Sequence, residues 1–375
     1  MKIKKMHMII GVEILLLAVL LIVGGSLMKH LPTEAPTEPS TTVEDTQPPT
    51  EAPTDPPVLT GWQTVDGARY YYGQDGLPQI GWLELDDATF YLGADGKMVT
   101  GQETVEGKLY FFGETGQMQT GWHTLDGATY YFTPKGAATG WLELDKKHYY
   151  LGEDGILLTG WQTLDGDRYY FREDGRMAIG QLEIEGTNRF FTSTGKYIIM
   201  PNPWNPVPED FELNLVDIEG YKFDAAGRDA LAGLLKACRN AGHDCDINNT
   251  YRSKATQQYL WDNGIAKRMD KGMTYEEALA DTKRAVMIPG HSEHQTGLGV
   301  DIDANDAADA WLGAHCWDYG FILRYPDDKE DITGIKYEPW HFRYVGTELA
   351  LELKALGMCM EEYMTMLTEQ QSAIT

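Results

Sequence analysis

From residue 61 to about residue 197 the chain repeats itself with a period of twenty residues, a length too short to bury a core alone. Gly61-Trp62, Gly81-Trp82, Gly101-Gln102, Gly121-Trp122, Gly140-Trp141, Gly160-Trp161 and Gly180-Gln181 open the successive units, one of them a residue short. In the first unit Asp66-Gly67 precedes Tyr70-Tyr71-Tyr72, and Asp75-Gly76 follows. Asp-Gly between short aromatic runs signals a hairpin, because a type I′ turn needs positive φ at both central residues. A lone hairpin leaves its apolar face in water, so the copies must stack and share a core. The expectation is an all-β solenoid of hairpins over residues 59–200.

The segments ahead of the array have a different character. Lys2, Lys4 and Lys5 precede an apolar run from Met8 to Met28, interrupted only by Glu13. At ~1.5 Å per residue a helix of that length matches a hydrocarbon core of ~30 Å. Its end, Gly24-Gly25-Ser26-Leu27-Met28, fits a small-residue cleavage site poorly. Residues 1–30 are therefore expected to form a single uncleaved transmembrane anchor, with the lysines inside and everything later outside. Residues 31–58 hold eight prolines among threonines and acidic residues. Such a linker cannot bury a core, and in extended polyproline form it reaches on the order of 80 Å. The net charge of −26 excludes nucleic acid as a partner.

From residue 201 the period stops, and helical patterns alternate with short strands. Leu231, Leu234, Leu235 and Cys238 share one face of a helix over 224–241, and Thr274 with Glu277 forms a capping box. Strands are expected at 244–249, 298–303 and 335–345, and further helices near 306–318 and 347–366. That order predicts a compact α+β domain over 201–375. Cys238 and Cys245 lie close enough to bridge in an oxidising compartment, and free buried thiols are the alternative.

Two clusters in this region collect metal-type ligands. Residues 289–302, PGHSEHQTGLGVDI, contain His291, His294 and Asp301; residues 337–344, YEPWHFRY, contain Glu338 and His341. Imidazoles and carboxylates suit zinc, and a catalytic zinc site uses three protein ligands plus a water. A further carboxylate outside the ligand set can then move the water's proton to the leaving group. Two histidines, an aspartate and a spare glutamate supply such a set.

The motifs SEHQTGLGVDI and EPWHFRY resemble those of the D-alanyl-D-alanine carboxypeptidase family of zinc peptidases, which includes D,D- and L,D-carboxypeptidases. The resemblance covers roughly residues 205–360. It implies one zinc per chain held by His294, Asp301 and His341, with Glu338 as general base and acid. Tyr251-Arg252-Ser253 with Gln257 matches a third family element. Arg252, Gln257 and Ser292 are then expected to hold the terminal carboxylate and backbone of a peptide. Gly299, where relatives commonly carry alanine, is the one departure noted. The repeats resemble the cell-wall-binding repeats of choline-binding and glucan-binding surface proteins. Trp62, Trp82, Trp122, Trp141 and Trp161 are thus candidate wall-binding aromatics as well as candidate core. The choline cages carry a further tryptophan just before the tyrosine pair, where this chain has Arg69, Thr89, Leu109, Thr129, His148 and Arg168. The expected function is removal of the terminal D-amino acid from peptidoglycan stem peptides at the cell surface. An L,D-carboxypeptidase, a peptidoglycan endopeptidase and a non-catalytic wall adhesin are the alternatives.

Overall fold

The structure, a computed structural model, describes residues 58–373. The expected membrane span and the linker up to residue 57 lie outside the described residues. Among the described residues no helix is long and apolar enough to cross a membrane.

Each repeat unit is a five-residue strand, a two-residue turn and a returning strand, as in Gly61–Val65 paired antiparallel with Ala68–Tyr72. The turn is the expected one, with φ of 50° at Asp66 and 80° at Gly67. The last position of the returning strand forms the solenoid core. Leu92, Phe112, Phe132, Leu151, Phe171 and Phe191, one in each unit from the second to the seventh, are all buried. Backbone bonds tie neighbouring units together, such as Met98 N–H to Arg69 O at 2.8 Å and Met177 N–H to His148 O at 2.8 Å.

The C-terminal region is built on a four-stranded antiparallel sheet in the order Cys245–Asn249, Gly299–Ala304, His341–Tyr344, Phe321–Leu323. Its helices are α1 (Ala225–Asn240), α2 (Lys254–Met269), α3 (Tyr275–Lys283), α4 (Asp306–His315), the short α5 (Glu330–Thr333), α6 (Thr347–Leu356) and α7 (Met360–Ala373). The apolar face of α1 meets the sheet in one core, where Leu231, Leu234 and Leu235 lie with Val300, Ile302, Phe321 and Phe342. Asp224 caps α1, and the Thr274–Glu277 capping box opens α3. Cys238 and Cys245 form a disulfide joining the end of α1 to the edge strand, whereas Cys316 and Cys359 are free and buried.

Several boundaries differ from expectation. The strand expected over 335–345 forms only at His341–Tyr344, because His341 N–H bonds back to Glu338 O and makes the preceding stretch a turn. The helix expected over 347–366 is two helices, broken at Gly357 with φ of 65°. The helix expected over 306–318 ends at His315 in a 3₁₀ turn. Helix α2 was not expected; its apolar positions are sparse, and only Gln257, Gly264 and Ile265 are buried.

The array and the C-terminal region pack directly on one another. Phe190 and Met200 share a core with Leu349, Leu353, Tyr363, Met364 and Leu367 of α6 and α7. Gln181 N–H bonds Thr368 Oγ1 at 2.8 Å, and Ser193 N–H bonds the Tyr363 hydroxyl at 2.9 Å. Gly180 allows this approach, since a Cβ there would lie 2.6 Å from Thr368 N. Gly160, at the equivalent position one unit earlier, has the same positive φ but open space around it. Gly160→Ala therefore carries only the left-handed backbone penalty of ~1–2 kcal/mol. Gly180→Ala carries that penalty plus a backbone clash of ~1–3 kcal/mol. Urea unfolding of the two variants should show the larger loss for Gly180→Ala, and equal losses would mean that α7 does not bear on Gly180.

Candidate functional site

Asp301 is the centre of the site. In the sheet it faces His341 on one neighbouring strand and Asn249 on the other. Its Oδ1 lies 2.8 Å from His341 Nδ1, and its Oδ2 lies 3.2 Å from His294 Nε2. His294 arrives on the 3₁₀ turn Glu293–Thr296, which Gly297 closes at φ of 72°. Its Nδ1 donates to Thr250 O at 2.6 Å, so Nε2 is the nitrogen left for the site. One ligand atom from each of His294, Asp301 and His341 lies within 4.8 Å of the others. Two imidazole nitrogens and a carboxylate oxygen converging in this way suit zinc with an open fourth position. Gly299 lies beneath the turn, and a Cβ there would meet Glu293 and His294 backbone at 3.4 Å, an ordinary contact that an alanine would make.

The remaining expected residues surround the cluster. Glu338 Oε2 lies 4.0 Å from His341 Nδ1, and burial pushes its carboxyl up to about 7. Arg252 Nη2 lies 3.8 Å from Asp301 Oδ2, while its Nη1 donates to Gln257 Oε1 at 2.9 Å. Gln257 is itself held by donating to Met287 O at 2.6 Å. Arg252, Ser292 and Glu338 line one cleft of about 390 Å³ with the three clustered residues, and Lys267 and Trp340 also line it. Gln257 reaches the cleft through Arg252. His291 stands apart, half-buried, its Nδ1 donating to Asn202 O at 2.8 Å. Asp303 is exposed, and His315 stacks on Trp311.

The electrostatics follow from burial and pairing. Burial pushes Asp301 up, yet His294 and His341 outweigh it and hold the carboxylate far below its usual range. Burial alone would neutralise His341, but hydrogen bonds to Asp301 and Glu293 raise it to about 10. For His294 burial wins, and its pKa is lowered. His294, Asp301 and His341 would hold a divalent cation in place of the imidazolium proton.

Sequence reasoning missed a buried ion cluster behind the site. Glu293 Oε1 pairs with Arg324 Nε at 2.8 Å and with Arg343 Nη1 at 3.2 Å. Arg324 turns its other two nitrogens to Glu361 of α7 at 2.9 and 2.6 Å. Glu293 and Arg343 lie inside the two quoted motifs, so their positions gave a signal; Arg324 lies in neither, and nothing in its neighbourhood distinguishes it.

In the array each tryptophan sits between two aromatic rings, one from its own hairpin and one from the segment that follows. Trp82 packs edge-on against Tyr91 and Tyr110, with centroids at 5.0 and 4.8 Å. Trp122 lies between Tyr131 and Tyr149, and Trp141 between Tyr150 and Tyr169. These three indoles are 41%, 37% and 47% exposed. Trp62 and Trp161 are half-buried and carry an internal cation, with Arg69 and Arg168 each 4.5 Å above the ring.

Comparison with known proteins agrees with both halves. Residues 221–347 match the VanY family, D-alanyl-D-alanine carboxypeptidase, and residues 59–102, 99–138 and 158–199 match the choline-binding repeat. A bifunctional D-Ala-D-Ala dipeptidase and D-Ala-D-Ala carboxypeptidase of Enterococcus gallinarum, VanXYC, is 39% identical over 142 residues, which are 33% of this chain and 70% of that protein. The chain belongs to the D-alanyl-D-alanine carboxypeptidase family. A D-alanyl-D-alanine carboxypeptidase of Enterococcus faecalis is 37% identical over 174 residues, 44% of this chain and 65% of that protein. A solved structure of a mutant vancomycin resistance D,D-pentapeptidase VanY in complex with Zn(II) is 38% identical, covers 44% of this chain and 97% of its own, and gives a TM-score of 0.43. The chain thus spans about two thirds of the length of the Enterococcus faecalis and Enterococcus gallinarum relatives, and its repeat array lies outside residues 221–347, the segment that matches the family.

Proposed function

We propose that this chain is a zinc D,D-carboxypeptidase that removes the terminal D-alanine from peptidoglycan stem peptides. The reading rests on one observation, the meeting of Arg252, Glu338 and the His294–Asp301–His341 cluster in a single cleft. His294 Nε2, Asp301 and His341 Nδ1 hold one zinc ion. When bound, zinc supplies a Lewis acid that acidifies water and polarises a carbonyl. Arg252, steadied by Gln257, pairs with the substrate's terminal carboxylate, for which a guanidinium fork is the natural partner. Ser292 lines the same cleft and offers its hydroxyl to the peptide backbone. Glu338 takes a proton from the attacking water and returns it to the leaving amine of D-alanine.

The rest of the chain keeps the enzyme near its polymer. Trp82, Trp122 and Trp141 are the wall-contacting aromatics of the array, since their rings are open where those of Trp62 and Trp161 are covered by arginines. The apolar run Met8–Met28 anchors the protein in the cell membrane, and the proline-rich linker lets the folded part extend into the wall.

The full-length protein should bind one zinc per chain. His294→Ala, Asp301→Ala and His341→Ala should each lose most of it, while Glu338→Ala should keep the metal and lose turnover, because a proton carrier contributes to the transition state and not to metal affinity. Metal analysis of the purified variants checks the split, and loss of zinc from Glu338→Ala would overturn the assignment of roles.

Substrate polarity gives a second test. Breaking a desolvated charge pair costs ~2–5 kcal/mol, so Arg252→Ala should lower kcat/KM by a factor of tens to thousands at unchanged zinc content. A C-terminally amidated stem peptide should be a poor substrate for the wild type. Equal cleavage of amide and free acid would replace the carboxypeptidase by an endopeptidase.

The array gives a third. Because Phe190 and Met200 share a core with α6 and α7, the cut should spare the last two hairpins. Deleting residues 58–159, or combining Trp82→Ala, Trp122→Ala and Trp141→Ala, should leave hydrolysis of small soluble peptides intact and reduce retention on isolated walls, where many weak contacts act together. Unchanged retention in both variants would refute the adhesive role.

A further inference from the structure

The carboxylate of Glu293 is fully buried and uses its two oxygens differently. Oε1 receives both cations, Arg324 Nε at 2.8 Å and Arg343 Nη1 at 3.2 Å. Oε2 is left facing His341 Nε2 at 3.4 Å. Arg324 is fixed in turn by its two bonds to Glu361, and Arg343 by donating through Nη2 to Ile199 O at 2.6 Å and through Nε to Tyr344 O at 3.0 Å. With one oxygen hydrogen-bonded to Arg324 and ion-paired with Arg343, the carboxylate directs its other oxygen to His341. The side chain is shielded from solvent, so no bulk water competes for Oε2.

The two histidines of the site present opposite nitrogens. His294 spends Nδ1 on Thr250 O and turns Nε2 to Asp301. His341 does the reverse, with Nδ1 towards Asp301 Oδ1 and Glu338 Oε2, and Nε2 towards Glu293. A neutral imidazole carries one proton, and the nitrogen that holds it cannot bind a metal. We infer that Glu293 is a positioning residue that holds the His341 proton on Nε2 and thereby keeps the Nδ1 lone pair for the metal. The inference rests on the reading of His294, Asp301 and His341 as a zinc site.

The isosteric variant Glu293→Gln isolates this role. An amide has one accepting oxygen and one donating nitrogen. If its oxygen serves the two arginines, its NH₂ meets His341 Nε2 and favours the tautomer with the proton on Nδ1. If its oxygen serves His341, its NH₂ faces two guanidiniums. Either way the preference for the metal-binding tautomer is lost. Loss of such a supporting carboxylate typically costs 10–100-fold in metal affinity, on the order of what is expected here.

Two measurements on the full-length protein test this. The first is zinc affinity of wild type and Glu293→Gln by competition with a chromophoric chelator, with the apo-protein melting temperature read alongside. The expected result is a zinc dissociation constant raised by about 10–100-fold in Glu293→Gln; wild-type affinity in the variant overturns the inference. The second needs no variant to fold. In ¹⁵N-histidine spectra of the zinc-loaded wild type, His341 should be protonated on Nε2 and His294 on Nδ1. A zinc-loaded His341 protonated on Nδ1 overturns the inference. A wild type that binds no zinc overturns the proposed function instead, so the two failures are distinguishable.

Discussion

The chemistry of this chain depends on a strand register. Asp301 and His341 are partners across an antiparallel ladder, and directly opposed side chains on one face of such a pair lie only ~4.5–5.5 Å apart. That spacing puts a carboxylate oxygen and an imidazole nitrogen side by side without any long-range adjustment. A slip of one residue would turn both to the opposite face. Val300, Ile302 and Phe342 prevent the slip, because they alternate with the site residues and are fully buried against α1. The apolar face of the sheet thus fixes the polar one. His294 completes the cluster from a turn whose backbone reaches under the strand, where Gly297 adopts a left-handed conformation against Asp224.

The ion cluster behind the site has a second consequence. Two carboxylates and two guanidiniums, Glu293, Glu361, Arg324 and Arg343, balance in charge while lying almost entirely out of solvent. Burying such groups is costly, and it is tolerated where each charge has several partners. Glu361 is in the first turn of α7, and Thr368, about two turns later, bonds the last hairpin of the array. One helix therefore closes the open end of the solenoid and steadies the site's supporting charges. The Gly180 face of the seventh unit accordingly meets a helix and not another hairpin.

Much of this was legible in the sequence, for reasons that differ by region. The hairpins were readable because one local rule, positive φ at two consecutive turn residues, recurs at a fixed interval. Where glycine is replaced, the turn at Asp145-Lys146 keeps φ of 51° and 63°, whereas at Asp86-Asp87 only Asp86, at 52°, is positive. His294, Asp301, Glu338 and His341 were visible as candidates because metal-type residues are concentrated in two short motifs. What escaped notice depends on contacts between distant segments. Arg324 has meaning only through Glu293, 31 residues earlier, and Glu361, 37 later. Helix α2 escaped because few of its residues are buried, so no apolar period marks it. The double helix at the C-terminus was read as one because only Gly357 interrupts the pattern.

The arginines in the array bear on where a wall ligand can sit. The position that carries Arg69 and Arg168 beside Trp62 and Trp161 carries Thr89, Thr129 and His148 beside Trp82, Trp122 and Trp141. A cation–π contact at such an exposed site is worth ~0.5–1 kcal/mol whichever cation makes it. A tethered guanidinium and a free ammonium therefore differ little in contact energy. They differ greatly in local concentration, since a short tether holds its group at millimolar levels or above. A freely diffusing cation loses that competition at Trp62 and Trp161, and meets no such competitor at the other three. The two covered tryptophans belong to the first and sixth units, and the open ones to the second, fourth and fifth. The tryptophan faces left open are thus those in the middle of the array, set apart from the last hairpin, which α7 already occupies.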